Sequence, residues 1–176
     1  LNISKGKTLY DDAVRSGFFK ENVRKNDTFE LYNKTVLIVG FGRIGKILVK
    51  RFLGFEMKVK VFDPFVNENI IKSFGAAKVE DLKKTLSEID VVTLHVPLNE
   101  KTNNLFDINV FKNMKKNSVI INTSRGGIIN EKDLDKALND RIIFAAGLDV
   151  FLKEPIEKNN PLLKNKNVLL SPHAST

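Results

Sequence analysis

The chain has 176 residues, 42% of them hydrophobic and 28% charged, with no cysteine and a formal net charge of +8. That length suits one domain with a substantial core, and the absence of cysteine leaves neither a disulfide framework nor a thiolate nucleophile. No apolar run approaches the ~20 residues of a membrane span, and no signal peptide is read at the start, so a soluble protein in a reducing, cytoplasmic setting is expected. The 29 Lys and Arg are scattered without interleaved exposed aromatics, which argues against a nucleic-acid partner and leaves a positive field that can attract an anionic cofactor and substrate.

Residues 1–33 do not read as half of a βαβ unit. A short helix is expected around Asp11–Val14, and Phe18 and Phe19 need covering, either by the domain's own core or by a second subunit. From Lys34 onward, short apolar runs alternate with helical stretches, the pattern of a doubly wound α/β sheet, mostly parallel, with helices on both faces. The first strand, Lys34–Val39, runs straight into Gly40, Gly42 and Gly45 at G-x-G-x-x-G spacing. Gly40 suits the tight turn, Gly42 a close backbone approach to a pyrophosphate, and Gly45 a close helix on the strand. Ile44, Leu48, Val49, Phe52 and Leu53 are expected on the buried face of that helix, whose free N–H groups would meet the phosphates.

The second strand, Lys58–Phe62, ends in Asp63, 63 − 45 = 18 positions past the last glycine. A carboxylate there can accept from ribose hydroxyls and repels a 2′-phosphate, so NAD is expected over NADP. A helix at Asn67–Phe74, a weak strand at Ala76–Val79 and a helix marked by Leu82 and Leu86 follow. The fourth strand, Ile89–Leu94, is stopped by Pro97. After a helix around Val110, Phe111 and Met114 come a fifth strand at Ser118–Ile121 and the turn Asn122–Gly127. Asn130–Leu138 reads as a helix with Asn130 and Asp133 arranged like a capping box, an imperfect one because Asp is shorter than Glu. A sixth strand at Ile142–Val150, a loop at Phe151–Lys166 and a last strand at Asn167–Leu170 complete the sheet. Gly40, Asp63, His95, Arg125, Asp149 and His173 all fall at strand carboxyl ends, where ligands bind in such folds.

Reduction of a ketone by hydride needs a proton donor with a pKa near working pH, and the two histidines, His95 and His173, both follow strands. An anionic 2-oxo acid also needs a cation, a task suited to the guanidinium of Arg125 beside Gly126 and Gly127. No metal site is read. These residues also have ordinary readings: Arg125 as a surface ion-pair partner, Glu154 as a solvated loop acid, and either histidine as a structural one.

Gly40–Gly45 with Asp63 and Pro64, His95-x-Pro97, Asn122-Thr-Ser-Arg125-Gly-Gly, Gly147–Pro155 and Ser171-Pro-His173, in this order, resemble the NAD-binding domain of the D-isomer-specific 2-hydroxyacid dehydrogenases, which include D-3-phosphoglycerate and hydroxypyruvate-type enzymes. The resemblance implies that His173 is the acid/base, that Glu154 pairs with it and favours its charged form, and that Arg125 holds the substrate carboxylate and carbonyl. It implies cofactor contacts at Gly40, Gly42, Gly45, the amides of Arg43 and Ile44, Asp63, Pro64, Val96, Pro97, Thr102, Thr123, Ser124 and Asp149.

The substrate domain such enzymes carry is absent, and the chain opens at Leu1, as expected of an excised domain. Residues 1–33 would be a dimerisation arm and 34–176 the NAD-binding domain, inactive by itself. The family resemblance also leaves open an NAD(H)-sensing interaction protein of the corepressor type, and a domain that binds cofactor and dimerises without chemistry.

Overall fold

The structure, a computed structural model, describes residues 1–17 and 28–174. Phe18 and Phe19, and with them the choice between core and partner, lie outside the described residues. Seven strands form one wholly parallel sheet: β1 (Thr35–Val39), β2 (Lys58–Phe62), β3 (Ala77–Val79), β4 (Val91–Leu94), β5 (Val119–Asn122), β6 (Ala145–Leu148) and β7 (Val168–Leu170), in the spatial order β3-β2-β1-β4-β5-β6-β7. The chain steps outward from β1 to β3, then returns to the far side of β1 and continues to β7. The reversal between β1 and β4 is the switch point at which open α/β sheets bind ligands.

Helices connect the strands: α1 (Lys7–Arg15) precedes β1, then come α2 (Arg43–Gly54), α3 (Glu68–Ser73), α4 (Leu82–Thr85), α5 (Ile108–Phe111) and α6 (Glu131–Asn139). Because side chains alternate across a strand, each central strand feeds two cores. Val36, Ile38, Val59 and Val61 pack with Val49 of α2 and Ile71 of α3 on one face. Leu37, Val92, Leu94 and Ile120 pack with Phe111 of α5 and Leu134 of α6 on the other. Over β4 to β7 the first face carries no connecting helix. Residues 1–4 and Phe29 reach it instead and leave a cleft of about 470 Å³ against the sheet, with His95, Thr123 and Asp149 among its walls.

The helix expected around Asp11–Val14 is present and runs Lys7–Arg15. One expectation is corrected. In α2, Ile44 and Leu53 lie at the surface, 56% and 39% exposed, while Val49 is fully buried and Leu48 and Phe52 half-buried. The apolar stripe is narrower than the residue spacing suggests because Gly45, seated on the strand, takes the innermost place in the first turn. The capping box at α6 is imperfect, as the short Asp133 side chain leads one to expect. Asn130 Oδ1 accepts from the Asp133 N–H at 3.1 Å, but Asp133 turns away to accept from the Ile108 N–H at 3.0 Å, tying α6 to the start of α5. A side chain one carbon shorter than Glu does not reach back to its own cap.

Candidate active site and dinucleotide cradle

The parallel register aligns the strand ends. Val79, Phe62, Val39, Leu94, Asn122, Leu148 and Leu170 stand in one row across the sheet. The next residue along each of six strands is Asp63, Gly40, His95, Thr123, Asp149 or Ser171, so the expected site residues share one edge because the register puts them there.

The glycine turn is built by close approach. Gly40 has φ +98°, and a Cβ on it would lie 2.5 Å from the His95 carbonyl oxygen and 2.8 Å from Val96 Cγ1. A Cβ on Gly45 would meet the Gly40 oxygen at 2.3 Å, whereas one on Gly42 would meet nothing within 4 Å. Two glycines are therefore required by packing, and the third faces open space at the start of α2. That helix has no side-chain cap on its first N–H groups, among them those of Arg43 and Ile44. Open space beside uncapped amides at a positive dipole end fits a pyrophosphate.

Asp63 is fixed by two bonds, accepting from Phe41 N–H at 2.8 Å and Phe65 N–H at 2.9 Å. It thus joins the glycine turn to the loop after β2 and presents a half-buried carboxylate beside the cradle, with Pro64 exposed next to it. Val96 packs against Gly40, and Pro97 opens a turn that the Thr102 hydroxyl closes by donating to the Pro97 carbonyl at 2.6 Å.

At the other end of the row, His173 Nδ1 lies 2.7 Å from Glu154 Oε2, and Glu154 Oε1 accepts from the Phe151 N–H at 2.9 Å. The hydrogen bond from His173, followed by that from Phe151, holds the Glu154 carboxyl below the usual range. A carboxylate on Nδ1 sets the ring's orientation and leaves Nε2 as the working nitrogen. The loop carrying His173 is tied to the sheet by Asp149, 2% exposed, whose Oδ1 accepts from the Ser171 hydroxyl and, at 3.0 Å, from the Ala174 N–H. His173 itself has φ +53°, a backbone conformation few non-glycine residues adopt without support from their surroundings.

Arg125 is placed by Asn122, a residue the sequence reading gave no role. The buried Asn122 amide donates to the Arg125 carbonyl at 2.9 Å, and its Oδ1 accepts from Ser124 N–H and Oγ. Asn at a strand end before small residues is the signal of an Asx turn and could have been read. The exposed Arg125 guanidinium donates to the Ser124 carbonyl at 2.6 Å and makes no salt bridge among the described residues. Gly126 brings this turn onto the other loop, since a Cβ there would sit 1.8 Å from the Phe151 carbonyl oxygen. The structure therefore joins Glu154 and His173 directly, and Arg125 to them through main-chain contact. Thr123, half-buried, lines the cleft.

His95 is not among these groups. Its Nε2 lies 2.8 Å from the Thr93 hydroxyl, and burial pushes its pKa down to about 4. It is a neutral, hydrogen-bonded histidine beneath the glycine turn. Among the described residues no group of three or more His, Asp or Glu is placed to hold a metal ion, and no helix is long and apolar enough to cross a membrane.

The family described as D-isomer specific 2-hydroxyacid dehydrogenase, NAD binding domain, matches residues 1–175. The chain belongs to this family. The chain is 43% identical over 148 residues to a glyoxylate reductase of Korarchaeum cryptofilum, covering 84% of this chain and 44% of that protein. It is 44% identical over 144 residues to a D-3-phosphoglycerate dehydrogenase of Methanocaldococcus jannaschii, covering 82% of this chain and 27% of that one. The chain thus spans less than half the length of these relatives. The crystal structure of the apo form of Rhodotorula graminis D-mandelate dehydrogenase superposes with a TM-score of 0.88 at 28% identity, covering 98% of this chain and 52% of that one.

Proposed function

We propose that this NAD-binding domain, working with a separate substrate domain, is the cofactor and acid–base half of an enzyme that interconverts a small anionic 2-oxo acid and its D-2-hydroxy acid. The observation that carries the reading is the His173–Glu154 pair at 2.7 Å, at the same sheet edge as the glycine cradle. When bound, NADH supplies the hydride. His173 gives a proton from Nε2 to the substrate carbonyl oxygen and takes it back in the reverse direction, while Glu154 keeps the ring oriented. The Arg125 fork holds the carboxylate and carbonyl and offsets the charge that develops on oxygen.

For the cofactor, the N–H groups of Arg43 and Ile44 hold the pyrophosphate over Gly42, and Asp63 accepts from the adenosine ribose, favouring NAD over NADP. Pro64, Val96, Pro97, Thr102, Thr123 and Ser124 line the groove, and Asp149 meets the carboxamide. The relatives named above support a small 2-hydroxy acid as the substrate class. A homodimer through this domain and a cytoplasmic location complete the proposal, with residues 1–33 as the arm and 34–176 as the binding domain.

Calorimetric titration of the 176-residue chain with NADH and NADPH tests the cofactor part. Saturable NADH binding, with NADPH at least roughly tenfold weaker, is expected, a difference of about 1.4 kcal/mol. Asp63→Ala should erase that preference. Equal affinity for both nucleotides in the wild type would remove the ribose role of Asp63.

A further inference from the structure

We propose that Glu131 is a positioning residue for the acid–base pair: one carboxylate clamps both ends of the loop that carries Glu154 and so holds Glu154 on His173. The inference rests on the role given to that pair above. Glu131 is the first residue of α6 and is partly buried. Its Oε1 accepts from the Leu152 N–H at 2.6 Å and its Oε2 from Asn160 Nδ2 at 2.6 Å. An acid in a first helical turn ordinarily serves the helix dipole and leaves its oxygens to solvent. Here both oxygens are used across a gap, on residues that lie on either side of Glu154 in the chain.

The base of this loop is held by Phe151, whose N–H meets Glu154, by Ile156 on the core and, further along, by Asn165 Nδ2 on Asp135 Oδ1, but the stretch between Leu152 and Asn160 has few other polar ties. The Lys153–Glu157 ion pair and the Asn160 N–H bond to the Glu157 carbonyl are internal and would move with it. Among the described residues, the side-chain hydrogen bonds from residues 152–160 to α6 are the two made by Glu131. Glu131 also lies six positions after Arg125, on the far side of the glycine pair whose Gly126 touches Phe151. The turn that carries the cation, the start of α6 and the loop that carries Glu154 therefore form one unit, and Glu131 closes it without touching His173 itself. Asp149 and Glu154 are the described acids bonded to the segment around His173.

The test reads the imidazole nitrogens of His173 by NMR across pH in the chain as it stands, where burial pushes the pKa of His95, the only other histidine, down to about 4. Glu154→Gln should lower the His173 midpoint, because the ring loses its carboxylate. Glu131→Ala should lower it in the same direction by a third or more of that shift, and should add nothing in the Glu154→Gln background. Asn160→Ser removes one arm of the clamp without changing charge, keeps a hydroxyl to cap the turn after it, and should shift the midpoint the same way. The series is run in about 0.5 M salt, where the Debye length of roughly 4 Å screens the direct field of Glu131. If Glu131→Ala does not fold, the near-isosteric Glu131→Gln and Asn160→Ser decide. A shift with Glu154→Gln but none with the Glu131 and Asn160 variants, whatever their melting temperatures, overturns the positioning role and leaves the pair intact. No shift with Glu154→Gln itself overturns the pair, and the role of Glu131 with it.

Discussion

His95 shows how placement decides what a titratable residue does. As one of only two histidines at a strand end it is an obvious acid/base candidate, yet burial pushes its pKa down to about 4 and its Nε2 is engaged by Thr93. The consequence is for stability. A histidine with a folded pKa below its unfolded value of about 6.5 contributes stability that is fully present above that value and is lost as pH falls toward the folded pKa. Denaturant unfolding of the wild type and of His95→Gln should therefore diverge between about pH 6.5 and 4, the wild type losing on the order of 2 kcal/mol more, after allowance for partial exposure. Parallel pH profiles would show that His95 is protonated in the fold at no cost. His173, by contrast, meets a carboxylate, and the backbone next to it is held by Asp149, which accepts from the Ala174 N–H. In the full-length enzyme His173→Ala should lower kcat by roughly 10²–10⁴ with dinucleotide affinity unchanged, measured by turnover and by calorimetry.

At the scale of elements, the site is two loops pressed together. Gly126 permits this because a side chain there would overlap the Phe151 carbonyl. Gly126→Ala should force the loops apart, lowering stability by about 1–3 kcal/mol as overpacking does, and should weaken the Glu154–His173 bond. Chemical shifts of residues 151–155 and 173 report that separation, and a spectrum unchanged at these positions would mean the contact is slack. Helix α6 carries both the loop clamp and a core face. Leu134, fully buried in that face, should cost about 2–5 kcal/mol on truncation to Ala, read by denaturant unfolding. The alternation of apolar runs and helical stretches made all seven strands and the connecting helices legible, to within a few residues at their ends. Which loop touches which was not legible: Gly126 against Phe151, and Asp133 against Ile108, join residues 25 apart in the chain with no local pattern to announce them.

For the whole molecule, the parallel register converts seven separate strand ends into one edge, and residues spread from Gly40 to Ser171 are gathered along it. The glycine cradle, His173, Glu154 and Arg125 all belong to this one domain, while the matched stretch covers 44% and 27% of the two relatives. The isolated chain should bind NADH without steady turnover of glyoxylate or similar 2-oxo acids, and the full-length protein should turn over one of them, both followed by absorbance of the reduced nicotinamide. Turnover by the isolated chain would mean that this domain alone closes the site.

The sequence by itself determined the fold class, the glycine cradle with Asp63, and the identities of Arg125, Glu154 and His173, because strand periodicity and glycine spacing are local and chemistry follows from residue type. Tertiary structure alone decided that His95 is half-buried and neutral, that Asn122 and Asp149 hold the loops of Arg125 and His173, and that Glu131 spans the loop of Glu154. Those outcomes depend on distances between side chains remote in the chain and on the water excluded around them, and neither quantity is written in the spacing of the residues.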